Sequence, residues 1–210
     1  MPELPDVETF RRYLDRTALR RKIDSVETGP ARVFGPSTTK VKKALAGKTL
    51  VETRRHGKHL LARIGGDGWL ALHFGMTGFL KYYKKPGERP PHTRMELRFG
   101  NGRRLAYDCQ RMLGKIELAA DPDSFAREHK LGPDALQIDR ETFAERVGGR
   151  GASIKSALMN QSALAGIGNV YSDEILFHAR IDPRRKPAEL DRREVDKIWR
   201  TMRRVLEKTV

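Results

Sequence analysis

Ile154-Lys155-Ser156-Ala157-Leu158-Met159-Asn160-Gln161, followed by Gly166-Ile167-Gly168-Asn169-Val170-Tyr171, organises the reading of the whole chain. The first run predicts a helix over 153–161 and the second opens a helix over 169–178. Gly166 and Gly168 permit tight turns between them, since glycine enters backbone conformations closed to other residues. A helix that starts near Asn169 points unsatisfied N–H groups outward, a setting that suits a phosphate. Asn169 adds a side-chain donor and Lys155 a charge. Gly-x-Gly-Asn on its own reads equally as a plain helix cap. A further helix is expected over 190–210, where Val195, Ile198, Trp199, Met202, Val205 and Leu206 form one apolar stripe. Ahead of the module, helices are expected over 121–130 and 139–147, joined by a loop with Leu131-Gly132-Pro133-Asp134. Gly148-Gly149-Arg150-Gly151 reads as a hinge.

Upstream the period changes. Leu50–Arg54, Lys58–Ile64, Trp69–Phe74, Phe79–Tyr83, Met95–Phe99, Leu105–Cys109 and Ile116–Ala119 are short runs rich in strand formers. Gly65-Gly66-Asp67-Gly68 and Asn101-Gly102 mark turns between them, and 35–39 and 84–91 read as loops. Many short strands at this spacing point to a β-sandwich or barrel. Before them, Pro5-Asp6 opens a helix that places Val7, Phe10 and Leu14 on one face.

The 210 residues carry 42 Lys+Arg against 27 Asp+Glu, a formal net charge of +15. That excess suits a polyanionic partner. The single Cys109 rules out an intramolecular disulfide and a multi-cysteine zinc site within these residues. No run of about 18 apolar residues occurs, and the acidic start is unlike a signal peptide. A cytoplasmic protein, nucleoid-associated in a bacterium, is the expectation.

The chain starts Met1-Pro2-Glu3-Leu4-Pro5-Asp6-Val7-Glu8-Thr9. A small second residue lets Met1 be trimmed, which leaves Pro2 as a free secondary amine. An α-amino group titrates near ~7.7–8.0, against ~10.4 for lysine, so roughly a tenth of it is unprotonated at pH 7. Such an amine can attack an electrophilic carbon and form a Schiff base, with Glu3 beside it as a proton shuttle.

The octapeptide from Pro2 to Thr9 closely resembles the start of the formamidopyrimidine-DNA glycosylase / endonuclease VIII family, in which the N-terminal proline excises oxidised bases. Other segments resemble family elements in register. Arg54-Arg55-His56-Gly57-Lys58-His59-Leu60 is similar to the family's Arg-Arg-x-x-Lys-x-Leu, and on chemistry alone is a phosphate-facing edge or an ordinary solvated strand end. The resemblance makes Lys58 the catalytic lysine. His73-Phe74-Gly75-Met76-Thr77-Gly78 resembles a turn whose histidine touches phosphate and whose Met76 wedges into the space a flipped base leaves; taken alone, Met76 reads as core. Asp108-Cys109-Gln110-Arg111-Met112-Leu113-Gly114 resembles the loop that pairs with the orphaned opposite base, but differs from it. Cys109 replaces a proline, Gln110 an arginine, and the loop is one residue longer. The reader is therefore Gln110 or Arg111, and Met112 or Leu113 stands for the aromatic that supports the kink. His92 and Arg94 replace two histidines. The segment from Ile154 to Pro183 resembles the helix–two-turn–helix module, with Lys155, Gly168 and Asn169 on DNA. Glu174 could hold the chain start by charge or be an exposed helix acid.

The resemblance spans Pro2 to about Val210 and implies an α+β protein. Its expected parts are an N-terminal helix with a β-sandwich catalytic domain (1–121), a helical connector and hinge (122–150), and a helix–two-turn–helix DNA-binding domain (151–210). It implies a monomer acting on damaged double-stranded DNA as a bifunctional glycosylase and AP lyase. The chain start leans toward the oxidised-purine branch. An oxidised-pyrimidine glycosylase, a weakly catalytic damage-binding protein and a basic RNA-binding protein are the rivals. No cofactor is expected in these residues. The family's zinc finger would lie past Val210, so the chain is read as a truncation that folds but grips DNA poorly, the alternative being a natural end with a frayed helix.

Overall fold

The computed structural model describes residues 1–66, 68–148 and 152–210. Asp67 of the expected turn and Gly149, Arg150 and Gly151 of the expected hinge lie outside the described residues. The chain divides into two compact units. One comprises Met1–Pro2, Asp6–Arg55 and His59–Phe125; the other comprises Glu3–Pro5, His56–Lys58 and Ala126–Val210.

The first unit contains α1 (Leu4–Thr17, which begins in the second), β1 (Ile23–Thr28), α2 (Thr38–Leu45), β2 (Leu50–His56), β3 (His59–Ile64), β4 (Trp69–His73), β5 (Phe79–Tyr83), β6 (Thr93–Phe99), β7 (Arg104–Asp108) and β8 (Lys115–Ala119). The strands form two four-stranded sheets, β1-β6-β7-β5 and β2-β3-β4-β8. Alternation explains why both sheets bury one face in common. Leu60, Ala62 and Ile64 of β3 and Leu70 and Leu72 of β4 share a core with Met95, Leu97 and Phe99 of β6 and Leu105 and Tyr107 of β7. Val7 and Leu14 of α1 enter the same core, and the Phe10 ring packs tilted against Phe74 with ring centroids 4.6 Å apart.

Two elements differ from the expectation. β1 has its apolar residues at 23 and 26, out of alternation, because a bulge shifts its register against β6 between Ile23 and Ser25. α2 occupies the end of an expected loop and its sequel. It buries only Val41 and Leu45, a single i,i+4 pair, so its apolar period is too short to read. Its one signal was Ser37, whose side chain accepts from the Lys40 N–H. Lys58, expected at the start of a strand, stands in the turn before β3.

The second unit holds only the C-terminal end of α3 (Pro122–Glu128), from Ala126 on, then α4 (Arg140–Val147), α5 (Ile154–Met159), α6 (Asn169–Ala179) and α7 (Arg192–Thr209). The α7 stripe behaves as its period demands: Val195, Ile198, Met202 and Leu206 are core, with Trp199 and Val205 packed against it. Asp191 and Glu194 cap α7 reciprocally, which starts the helix two residues later than the stripe suggests. Leu4 belongs to this core, with Ile154, Leu158, Ile167 and Ile175. No helix among the described residues is long and apolar enough to cross a membrane.

Candidate active site and nucleic-acid interface

The start of the chain is fastened to the start of α6. Glu3 is 2% exposed. Its Oε2 accepts from the Gly168 N–H at 2.6 Å and the Tyr171 N–H at 3.3 Å, and its Oε1 from the Val170 N–H at 2.9 Å. These are the orphan donors of a helix's first turn, and a carboxylate there also meets the favourable end of the helix dipole. The sequence reading aimed these donors at a phosphate. Three of them face Glu3 instead, because a buried carboxylate must be hydrogen-bonded. The Asn169 side chain stays exposed beside them. Glu174 does not hold the chain start; it lies 3.3 Å from His178 on the outside of α6.

Two glycines make this approach possible. A β-carbon on Gly166, whose φ is +122°, would lie 2.6 Å from the Leu4 side chain, and one on Gly168 would lie 2.5 Å from the Glu3 carboxyl carbon. The Leu4 N–H donates to the Gly166 carbonyl at 3.1 Å. Residue 2, half-buried, directly precedes this anchored pair in the chain.

Lys58 is 5% exposed in the same unit. Burial lowers its pKa below the ordinary lysine value, and the charge of Glu3 raises it in part. The turn that presents it is held by Asp134, itself buried, which accepts from the Gly57 N–H at 2.7 Å and the Leu136 N–H at 3.0 Å. Gly57 has φ +55°. Sequence reasoning assigned Asp134 no role; its signal was an acid directly after Gly-Pro. The basic run before Lys58 is not one phosphate-facing edge. Arg54 pairs with Glu52 at 2.8 Å, Arg55 is 3.6 Å from Glu8, and His56 Nε2 lies 2.9 Å from the Gly132 carbonyl.

In the first unit, two expected DNA-contacting turns meet. A β-carbon on Gly75 would lie 2.5 Å from the Leu113 carbonyl carbon, and the Arg111 N–H donates to Thr77 Oγ1 at 3.4 Å. Met76 is 41% exposed and Leu113 44%, while Gln110 and Arg111 are exposed at the same rim. Met112 is different. At φ +51° its side chain turns inward and packs on the core. Of the two candidates for the missing aromatic, Leu113 is the one presented to the outside. His73 stacks with His59 at 4.9 Å between ring centroids.

Arg94 was noted only as a departure from histidine. It braces the loop: its Nε donates to the Cys109 carbonyl at 2.9 Å and its Nη2 to the Gln110 carbonyl at 3.3 Å. Lys155, on α5, pairs with Asp173 at 2.8 Å. Among the described residues no three His, Cys, Asp or Glu side chains converge on a metal position, and the one cysteine is buried.

Two family models match the chain: the formamidopyrimidine-DNA glycosylase N-terminal domain over residues 1–116, and the formamidopyrimidine-DNA glycosylase H2TH domain over residues 131–210. The chain belongs to the formamidopyrimidine-DNA glycosylase family. The formamidopyrimidine-DNA glycosylase of Moorella thermoacetica is 36% identical over 215 residues, covering 100% of this chain and 78% of that protein. The one from Symbiobacterium thermophilum is 37% identical over 218 residues, covering 100% and 70%. The Lactococcus lactis formamidopyrimidine-DNA glycosylase bound non-covalently to DNA with an AP site superposes with a TM-score of 0.93 at 30% identity, covering 99% of this chain and 81% of that one. A MutM structure in complex with DNA containing carbocyclic 8-oxo-G gives 0.92 at 30% identity, covering 99% and 79%.

Proposed function

We propose that this chain removes oxidised purines of the 8-oxoguanine and formamidopyrimidine type from duplex DNA and then cleaves the strand, with Pro2 as nucleophile once Met1 is removed. The observation that carries the reading is the anchoring of Glu3 on the first turn of α6. It fixes the residue that follows the amine, as an N-terminal nucleophile requires. Pro2 attacks the anomeric carbon, the glycosidic bond breaks and the base leaves. The resulting iminium makes the C2′ proton acidic, so the 3′ phosphate leaves by β-elimination and the 5′ phosphate by a second elimination. Lys58 supplies a proton or charge as the sugar ring opens, and burial, by lowering its pKa, makes it a readier proton donor than an exposed lysine. Glu3 shuttles protons and positions Pro2. None of these steps requires a metal or redox group. Met76 fills the space of the flipped base, Arg111 or Gln110 meets the opposite base, and Leu113 supports the kink. One chain acting on chromosomal DNA in the cytoplasm suffices. Release of free 8-oxoguanine from a lesion duplex, with a borohydride-trapped protein–DNA adduct, is the expected result; neither product from the Met1-free protein would overturn the reading.

Three substitutions test the DNA contacts. Lys155→Ala is expected to weaken binding to all sequences alike and to lower the log–log salt slope by about one. Asn169→Ala should weaken binding with the slope kept. Because Asp173 competes for Lys155, Asp173→Asn should tighten binding to undamaged duplex. A Lys155→Ala loss confined to lesion DNA would place that lysine at the damaged base instead.

Arg94→Ala removes two charge-assisted hydrogen bonds to the loop carbonyls, each worth roughly 1.5–3 kcal/mol. The rim loop then loses its fixed shape. Excision measured opposite each of the four bases should lose its discrimination, while abasic-site cleavage changes little. An unaltered opposite-base profile would remove Arg94 from the positioning of this loop.

A further inference from the structure

The face of α7 opposite its apolar stripe is a row of cations. Arg192, Arg193, Lys197, Arg200 and Arg204, with Arg140 from the start of α4, line a groove of about 760 Å³ whose floor also includes His178. All six cations are exposed. The one carboxylate in the lining, Asp196, is buried and pairs with Arg140 and Arg200, which fixes two of the guanidinium groups in place. Arg193, Lys197, Arg200 and Arg204 recur every three or four residues, so they stand above one another along the helix. From 192 to 204 the row rises about 18 Å at 1.5 Å per residue. One DNA strand places a phosphate about every 3.4 Å of axis, so the row matches roughly five phosphates.

This groove is separate from the α6 start. His178 is in the last turn of α6, nine residues beyond Asn169 and therefore about 13 Å further along that helix. The excision reading uses none of these side chains. We propose that the groove binds the sugar–phosphate backbone of a second duplex segment. The occupant is duplex rather than an acidic peptide for two reasons. Five of the six cations are arginines, whose planar forks match phosphate oxygens. The row is also straight and rigid, as a duplex is, whereas a disordered acidic segment would have to be ordered to follow it. An enzyme that must search long DNA can then pass from one segment to another without first releasing both.

The test uses the full chain, a short undamaged duplex and the triple variant Arg193→Glu, Lys197→Glu, Arg204→Glu, which leaves the pairs of Asp196 intact. At low salt the unaltered protein should bind two duplexes per chain by sedimentation, and the variant one. Release of a labelled duplex should accelerate with added competitor duplex in the unaltered protein and become independent of it in the variant. Single-turnover excision from one short lesion duplex should be unchanged. If the glutamate variant loses its thermal transition, the corresponding glutamine triple gives the same comparison with an uncharged face. One duplex per chain in the unaltered protein, competitor dependence that survives the charge reversal, or saturation of the groove by a polyglutamate peptide without a second duplex would each overturn the proposal. Failure of excision in the unaltered protein would strike the proposed function instead, because duplex stoichiometry is read without any lesion.

Discussion

A peptide extension fused ahead of Met1 is expected to abolish covalent trapping on abasic-site DNA altogether, and Pro2→Gly to reduce it by about a hundredfold or more. The two losses have different causes. An extension turns the Pro2 nitrogen into a tertiary amide with no nucleophilic lone pair, so no Schiff base can form at any concentration of DNA. Glycine keeps an amine but removes the ring that fixes the orientation of the nitrogen, and the chain start gains conformational freedom where Glu3 had removed it. A misplacement of about 1 Å at a reacting group costs on the order of a hundredfold in rate. Binding to abasic-site duplex should persist in both proteins, since neither change touches the exposed rim at Met76, Arg111 and Leu113. Borohydride reduction followed by denaturing electrophoresis measures the adduct directly. Undiminished trapping in both proteins would assign the nucleophile to another amine, with the buried Lys58 the first to examine.

Much of this was legible in the sequence because it depended on local pattern. The α7 stripe, the alternation in β3, β4, β6 and β7, and the glycines before α6 each follow from side-chain period or backbone freedom. What was not legible depended on distant partners or on a short signal. The amides at the start of α6 are legible in the sequence as helix-start donors, yet the acceptor of Gly168, Val170 and Tyr171 is Glu3, some 165 residues away in sequence. No spacing rule connects those positions. The inward turn of Met112 follows from a left-handed backbone at a non-glycine residue, which residue type does not announce. The brace of Arg94 on the Cys109 and Gln110 carbonyls arises from the pairing of β6 with β7, in which Thr93 lies opposite Asp108. A single arginine in a strand carries no mark of that duty. The basic run from Arg54 to His59 is the opposite case: its charges are visible in the sequence, but the acids and carbonyl that engage three of them are not.

Gly168→Ala is expected to lower base excision by about a hundredfold through Glu3 alone. The backbone of Gly168 has φ −125°, which alanine adopts without strain, so the substitution adds no conformational penalty of its own. The new methyl would stand 2.5 Å from the Glu3 carboxyl carbon, closer than any two such atoms can rest. Glu3 can move aside only by releasing the Gly168, Val170 and Tyr171 amides. Leaving buried polar groups unsatisfied costs roughly 1–3 kcal/mol each, so the thermal midpoint should also fall by several degrees. The cause can be isolated with a double-mutant cycle. Glu3→Ala removes the carboxylate that the methyl displaces. If the clash is the whole effect, Gly168→Ala should cost little in an Glu3→Ala background, and the two changes should be far from additive in both excision rate and thermal midpoint. Additive losses would show that Gly168 serves the site by another route, such as close approach of DNA backbone to the start of α6. A wild-type excision rate in Gly168→Ala would show that the anchoring of Glu3 on α6 does not position the N-terminal amine.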